Sequence, residues 1–453
     1  MGYALIKLSY YVNQLLKHFK ACPYKAQVLG VFFLFIISFV GYKVAKSRPA
    51  SDNAAAQELP VAIILNGNFY LDFIYQNVQG TIPYWVFYKD GHYISYYPII
   101  TGALNTPRVY LEYKRKGSIN KILPDLEEIT RETSILLSSL SVSFMFLILL
   151  KLKLSTQASF IFSIIFAFTT NFYTIGSQSF WQHVPSVCFL LIAIWACLIG
   201  GRVLFIAGLC LGIAVFNRPA NAVFALPLCF YVICCHKDFF WFFFSGAFIP
   251  AVLLFTYSYE YWGTIQALGQ GHGMQREIDN PYYHYDAIGF KFPIVKGIIN
   301  HVFSPSRGLL VYTPVFVLSF VQLFKLIVKP KQNPLIFTLC ISLCLHIILL
   351  SKWTAWHGGW SYGYRLLTEL IPILIILLAL FWQQLLSSKY HWKKVICIIF
   401  LVISSSWGGY IQYLGTQKFD FSWSQQKLPQ SNAEHAEIWW DFKSAQWLFY
   451  QKK

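Results

Sequence analysis

Long apolar segments recur along the whole chain, and they constrain its fold more than any other feature of the sequence. About eleven runs approach the ~20 residues that a helix needs to cross the hydrocarbon core of a bilayer. They are Gln27–Ala45, Ser134–Leu150, Ala158–Phe172, Val184–Ile199, Val203–Phe216, Pro219–Cys235, Phe239–Tyr257, Leu309–Ile327, Pro334–Leu350, Leu370–Leu386 and Val395–Tyr413. Because backbone groups inside lipid must be hydrogen-bonded within their own segment, these runs predict an all-α polytopic membrane protein.

The composition supports this fold class. Only 12% of the 453 residues are charged and 56% are hydrophobic, whereas a soluble domain carries about 25% charged residues. This excludes a water-soluble enzyme, a disordered scaffold and a secreted disulfide framework.

The formal charge of +17 is explained by topology rather than by nucleic-acid binding, for which no motif is present. Basic residues concentrate in the short links between apolar runs, as the positive-inside rule requires of cytoplasmic loops. The long loops 46–133 and 258–308 and the link 351–369 are then exterior. Of the 19 carboxylates, only Asp238 falls in a predicted cytoplasmic loop, so acidic chemistry is expected outside.

This topology predicts three regions. Residues 1–26 form an amphipathic helix on the cytoplasmic leaflet, residues 27–413 form the transmembrane domain, and residues 414–453 form an exterior carboxyl-terminal tail. The topology is that of a multi-pass membrane protein, with the amino terminus in the cytoplasm and the carboxyl terminus outside.

Nucleotide and metal motifs are missing from the sequence. There is no Walker loop, no dinucleotide fingerprint and no HExxH. Glu277, Asp279 and Asp286 offer oxygen ligands to a hard cation, although solvated loop charges are the favoured explanation. No cofactor and no required metal are therefore predicted.

Asp72 is the principal catalytic candidate. It lies in the first exterior loop, inside the apolar stretch 69–75, where a carboxylate needs a partner or water. A carboxylate in such a place suits a general base. The alternative is a structural Asp that caps a helix or pairs with a lysine of the loop.

Aromatic and polar side chains in the exterior segments are candidates for binding a sugar or an acceptor. Aromatic faces stack on the C–H faces of sugars, while hydroxyl and amide groups bond to their rims. An aromatic belt at the membrane interface explains the same pattern. The candidates are His92, Tyr93, Tyr96, Tyr97, Trp181, Gln182, Trp356, His357, Trp360 and Tyr362.

Basic residues near the exterior ends of the runs are candidates for binding a donor phosphate, whose oxygens suit bidentate arginine. They are Arg218, Arg307, Arg365, Lys352 and His183. Two alternatives remain open: arginines that extend to lipid headgroups, and an i,i+4 pair between Arg365 and Glu369.

Several short motifs resemble a known superfamily. They are Asp72 shortly after the first run, Gly91-x-Tyr93-x-Ser95-x-Tyr97-Pro98, Gln182-His183 before the fourth run, Ser304-Pro305-x-Arg307-Gly308-Leu309, and Trp356-x-Gly358-Gly359-x-x-x-Gly363-x-Arg365-x-Leu367. The chain resembles bacterial integral-membrane glycosyltransferases of the GT-C superfamily, a group that includes protein O-mannosyltransferase-like and aminoarabinose-transferase-like enzymes. The resemblance covers roughly residues 27–386.

The resemblance implies a GT-C-like helical bundle in a bacterial inner membrane that uses a sugar on a polyprenyl phosphate at the exterior face. It also implies that the catalytic carboxylate lies in the first exterior loop, at Asp72, although Phe73 follows where the common form has an Asp-Glu pair.

The predicted function is transfer of the sugar to a hydroxyl of a lipid, glycan or protein acceptor, with inversion. Membrane lipids are the other expected partners. The alternatives are a flippase for lipid-linked saccharides, or another secondary transporter, and a non-catalytic assembly protein.

Overall fold

The structure is a computed structural model that describes residues 23–48, 53–76, 83, 85–265, 289–328, 333–427 and 437–453. Most of the predicted amphipathic helix 1–26 and the carboxylates Glu277, Asp279 and Asp286 lie outside the described residues.

Helices dominate the described chain. Those of the first half are α1 (Pro23–Lys43), α2 (Ala54–Asn66), α3 (Asp72–Tyr75), α4 (Ile100–Lys116), α5 (Leu126–Lys151), α6 (Thr156–Phe168), α7 (Phe172–Gln178), α8 (His183–Ile199), α9 (Leu204–Asn217), α10 (Ala222–Cys235) and α11 (Phe240–Trp262). Those of the second half are α12 (Ile294–Phe303), α13 (Leu309–Tyr312), α14 (Phe316–Val328), α15 (Pro334–Ser351), α16 (Ile371–Leu386), α17 (His391–Lys418), α18 (Ser422–Lys427), α19 (Glu437–Trp440) and α20 (Gln446–Lys452). A 3₁₀-helix, Arg365–Leu370, leads directly into α16.

Every predicted apolar run contains a helix of the structure, which confirms the all-α polytopic fold class. In the described chain, six helices are long and apolar enough to cross a membrane: α1, α5, α11, α15, α16 and α17. The bent pair α6–α7, with an angle of 61°, adds a seventh if it is one span. The helices α8, α9, α10 and α14 are shorter, so the count of eleven spans and the orientation stay predictions.

The long apolar helices differ in how far protein covers them. The most apolar window of α16 is 72% buried, whereas those of α1 and α11 are only 17% buried. Residues Ile371 to Ala379 of α16 are almost fully enclosed. We infer that α16 is the central helix and that the apolar surfaces of α1, α11 and α17 face lipid.

Two glycines allow α9 and α11 to cross in close contact. A Cβ atom on Gly208 would lie 1.9 Å from the Phe243 carbonyl oxygen, and one on Gly246 would lie 2.0 Å from the Phe205 carbonyl oxygen. Small residues of this kind allow helix backbones to approach within a membrane. The crossing sets the position of the end of α9, where Asn217 and Arg218 lie.

The exterior segment between α1 and α5 contains α2, α3, α4 and a two-stranded antiparallel sheet. Strands β1 (Val86–Lys89) and β2 (His92–Ser95) pair in register, and Lys89 lies opposite His92. The turn is Asp90-Gly91, and both residues have positive φ, as a tight hairpin requires. The sheet places His92 at the start of β2.

We predict that Gly246→Ala destabilises the protein, because the added methyl group has no room at the crossing of α9 and α11. Overpacking of this kind costs about 1–3 kcal/mol. The thermal midpoint of the purified protein in detergent is expected to fall by several degrees. Gly409→Ala is the control, since a Cβ there approaches no atom of the described chain closer than 3.9 Å. Equal midpoints for the two variants would contradict the close crossing.

Candidate functional site

Asp72 is the first residue of α3, and strand β2 holds its carboxylate. The Nδ1–H of His92 donates to Asp72 Oδ2 at 2.7 Å, and the backbone N–H of Tyr93 donates to Oδ1 at 2.7 Å. Tyr70 stacks on the His92 ring at a centroid distance of 4.1 Å. Asp72 therefore pairs with a histidine, and no lysine contact is recorded for it in the described chain.

The Asp72–His92 pair remains open to solvent. The side chain of Asp72 is 27% exposed and that of His92 is 45% exposed. Because Nδ1 of His92 is bound to the carboxylate, Nε2 is the ring nitrogen left for another partner, and no bond to it is recorded within the described residues. An imidazole oriented in this way by a carboxylate is equipped to accept a proton.

Other predicted sugar-binding residues lie in strand β2 or directly after it. The Tyr93 ring lies 4.9 Å from Tyr88 and 6.0 Å from Tyr75, and the Tyr96 and Tyr97 rings are 5.0 Å apart. The first exterior loop thus collects aromatic rings beside Asp72. Their role in sugar binding stays a prediction.

A second carboxylate, Glu58, lies on α2 and is linked to the helix that carries Asp72. The Tyr75 hydroxyl lies within hydrogen-bond distance of both carboxylate oxygens of Glu58, at 2.9 and 3.0 Å. Burial raises the pKa of Glu58 to about 8, while the bond from Tyr75 opposes that shift. Glu58 is not among the candidates predicted from the sequence, although a single Glu directly before the apolar run 59–65 is an uncommon place for a charged residue.

Aromatic and polar contacts fix the exterior loop to the ends of α9 and α11. Phe69 packs edge-on against Tyr257 at 5.7 Å, and Tyr257 lies 6.0 Å from Phe216. The Thr101 hydroxyl donates to Asn217 Oδ1 at 2.6 Å. The loop that carries Asp72 therefore packs beside the turn that carries Arg218.

Arg218, His183 and Glu369 form an ion cluster at the ends of three helices. Arg218 donates to Glu369 Oε1 at 2.6 Å, and His183 Nδ1 lies 2.9 Å from the same oxygen. The side chain of Glu369 is fully buried. The cluster joins the start of α8, the end of α9 and the start of α16.

The structure does not contain the alternative i,i+4 pair between Arg365 and Glu369. Both residues lie in the 3₁₀-helix Arg365–Leu370, which has three residues per turn, so positions four apart do not share a face. Arg365 instead donates to the Gly358 carbonyl at 2.9 Å and lies over the ring of Trp181, 4.5 Å from its centroid.

Two buried donors accompany these arginines. Trp181 Nε1 and Gln182 Nε2 are enclosed and have no hydrogen-bond partner within the described residues. The Gln182 carbonyl accepts from Asn217 Nδ2 at 2.7 Å, which ties the start of α8 to the end of α9. Buried donors in proteins are nearly always satisfied. Trp181 and Gln182 therefore offer hydrogen bonds to a ligand beside Arg218 and Arg365.

Arg307 has a different environment, because protein acceptors surround its guanidinium group. It donates to Gln446 Oε1 at 2.7 Å and to the Gly359 carbonyl at 3.0 Å. Its guanidinium carbon lies 5.3 Å from the Trp423 ring centroid and 5.5 Å from that of Trp439. Burial lowers its pKa to about 10. These contacts favour a structural role that fixes the carboxyl-terminal segment; the phosphate role stays a prediction.

The remaining candidates belong to the segment 351–369. Trp356 and Tyr362 are buried, and the Tyr362 hydroxyl donates to the Ile411 carbonyl at 2.9 Å. His357 stacks on Trp439 at 4.5 Å, and burial lowers its pKa to about 3, which keeps the ring neutral. Lys352 and Trp360 are exposed. The structure thus gathers His183, Arg218, Arg365, Trp181 and Gln182 in one place, while Trp356, His357 and Tyr362 pack with the carboxyl-terminal segment.

No group of three or more potential metal ligands is present within the described residues. The carboxylates considered for a cation lie outside them, so the prediction that no metal is required stays a prediction.

Comparison with solved structures finds similarity to one membrane protein. The crystal structure of ArnT from Cupriavidus metallidurans bound to undecaprenyl phosphate is 12% identical, with a TM-score of 0.47, over 86% of this chain and 75% of that one. The apo-state crystal structure of the same protein is 11% identical, with a TM-score of 0.46 and the same coverage. No protein-family model and no curated protein sequence matches the chain. The likeness concerns the fold and assigns no role to any residue.

We predict that Glu369→Gln destabilises the protein, because the amide leaves the buried positive charge of Arg218 without its counter-charge. Breaking a buried ion pair in this way costs about 3–5 kcal/mol. The measurement is the thermal midpoint in detergent. Asp90→Asn is the control, since its pair with Lys89 is 3.4 Å long and largely exposed. A midpoint for Glu369→Gln equal to that of the control would show that the cluster does not hold the helices together.

Proposed function

We propose that this protein is a membrane glycosyltransferase that moves a sugar from a polyprenyl-phosphate donor to an acceptor hydroxyl at the exterior face. One observation carries the proposal. The solvent-accessible Asp72–His92 pair lies on a loop that packs directly against the helix ends bearing Arg218. A candidate proton acceptor and a positively charged site for an anion therefore lie at one junction between the loop and the helices.

The anion side of this junction suits a phosphate. Arg218 and Arg365 supply positive charge, and Trp181 Nε1 and Gln182 Nε2 are donors without recorded acceptors in the described chain. Donors and cations arranged before the reaction stabilise charge that develops on a leaving group. The leaving group here is the polyprenyl phosphate, and its apolar chain lies in the bilayer alongside the apolar helices.

The proton side of the junction suits activation of a hydroxyl. We assign to His92 Nε2 the role of accepting the proton of the acceptor hydroxyl. Asp72 holds the imidazole through Nδ1 and stabilises the cation that forms. The acceptor oxygen then forms a bond to the anomeric carbon, and the bond from that carbon to the phosphate oxygen breaks. The phosphate leaves with the electron pair, and attack from the opposite side inverts the anomeric centre.

The position of the charges favours transfer over transport. Glu369, Arg218 and His183 lie at helix ends that the sequence predicts to be on the exterior side, whereas a secondary transporter places its polar binding groups near the middle of the bilayer. A flippase therefore has less support from these residues than a transferase.

We predict that Asp72→Asn and His92→Ala each lower sugar transfer by about 10²–10⁴-fold, the usual contribution of a general base. The assay supplies purified protein with a polyprenyl-phosphate sugar and a panel of hydroxyl acceptors and detects the product by mass spectrometry. Asp90→Asn, in the same hairpin, is the matched control and should retain full activity. Unchanged transfer by both variants would remove the pair from the reaction.

Chemical rescue separates the roles of the two residues. His92 is 45% exposed, so added imidazole is expected to enter the space left in His92→Ala and to restore part of kcat. The same imidazole should not restore Asp72→Ala, in which the native ring is still present but is no longer oriented. If formate restores Asp72→Ala and imidazole fails with His92→Ala, Asp72 itself is the base.

A further inference from the structure

A basic cavity lies away from the junction described above, between the segments that follow α1 and α17. Its volume is about 510 Å³, and its charged lining residues are Lys46, Arg48, Lys418, Lys453 and Asp420. Both α1 and α17 are long and apolar enough to cross a membrane. The cavity therefore lies where two candidate spans leave the bilayer.

Backbone bonds fix the two walls of this cavity to each other. The N–H groups of Lys46 and Ser47 both donate to the Thr416 carbonyl at 2.9 Å, and the Ser47 hydroxyl donates to the Phe419 carbonyl. Gln417 Nε2 donates to the Val44 carbonyl at 3.2 Å. The basic residues are thus held on a joined framework rather than on two independent chain ends.

The cavity keeps positive charge after its internal pairing. Lys453 pairs with Asp420, and Arg48 pairs with Glu128 at 3.1 Å. No ion pair is recorded for Lys46 or Lys418 within the described chain. Two lysine ammonium groups at one membrane boundary attract an anion, because like positive charges that lack acidic partners are neutralised by a bound counter-charge.

The surface on the membrane side of the cavity is apolar and uncovered. Val40 of α1, Val44 just after α1, and Tyr410 and Tyr413 of α17 are exposed. The most apolar parts of these two helices are only 17% and 22% buried. A ligand at this place can put hydrocarbon against the helices and its charge into the cavity. A soluble anion would use the charge alone.

We propose that this cavity binds the phosphate headgroup of an anionic membrane lipid, with the acyl chains lying against α1 and α17. Lys46 and Lys418 supply the countercharge, because they are the lining lysines without a recorded acidic partner in the described chain. The site is distinct from the proposed donor site and does not depend on the transferase assignment.

The test uses the full chain in mixed micelles of detergent with either phosphatidylglycerol or phosphatidylcholine, and bound lipid is counted by native mass spectrometry. We expect retention of phosphatidylglycerol over phosphatidylcholine. The double variant Lys46→Gln/Lys418→Gln should lower that retention about tenfold. Lys393→Gln/Lys394→Gln, at the opposite end of α17, is the matched control and should retain the lipid as the unaltered chain does.

Two further measurements complete the test. Lys418→Gln alone should give an intermediate loss, which keeps the test valid if the double variant does not fold. Inorganic phosphate at high concentration should compete only weakly, because it lacks the acyl chains. Equal retention of the two lipids, equal loss in the control variant, or phosphate binding without lipid preference would each overturn the proposal.

Discussion

The pairing of the buried Glu369 carboxylate with Arg218 and His183 is the interaction on which the arrangement of the site depends. An ionised carboxylate removed from water is very costly unless charge and hydrogen bonds compensate it. Arg218 and His183 provide that compensation, and the three residues come from three separate helices. The starts of α8 and α16 and the end of α9 therefore assume one relative position. This cluster therefore fixes the positions of the candidate ligand-binding groups at these helix ends.

The exterior loop depends on that arrangement in turn. Asn217 precedes Arg218 and accepts the bond from Thr101, so the end of α9 supports both the ion cluster and the loop. The glycine contact between α9 and α11 brings Tyr257 beside Phe216, where Phe69 packs. The Asp72–His92 pair is thus positioned by packing against α9 and α11, not by the short hairpin alone.

The helices could be predicted from the sequence because hydrophobic length is a local property, and each predicted apolar run contains one. The loop bearing Asp72 could be predicted for the same reason, because it is the segment between the first two apolar runs. The partner of Glu369 could not, because the i,i+4 alternative assumed an α-helix, whereas residues 365–370 form a 3₁₀-helix. The pairing of Asp72 with His92, which lies twenty residues away, could not be predicted either, because it depends on the register of the strands. Long-range contacts of this kind leave no periodic signal in a single sequence.

The arginines show how a structure separates packing from ligand binding where composition cannot. The guanidinium of Arg307 is enclosed by carbonyl and amide acceptors and by two tryptophan rings. An anion placed there would have to displace those contacts. Arg218 has its recorded bonds through one terminal nitrogen only, and it lies beside the donors of Trp181 and Gln182. Because a guanidinium group offers five N–H donors, Arg218 retains the capacity to bind a phosphate while still neutralising Glu369. The same residue can therefore hold the helices together and still serve as the proposed phosphate ligand.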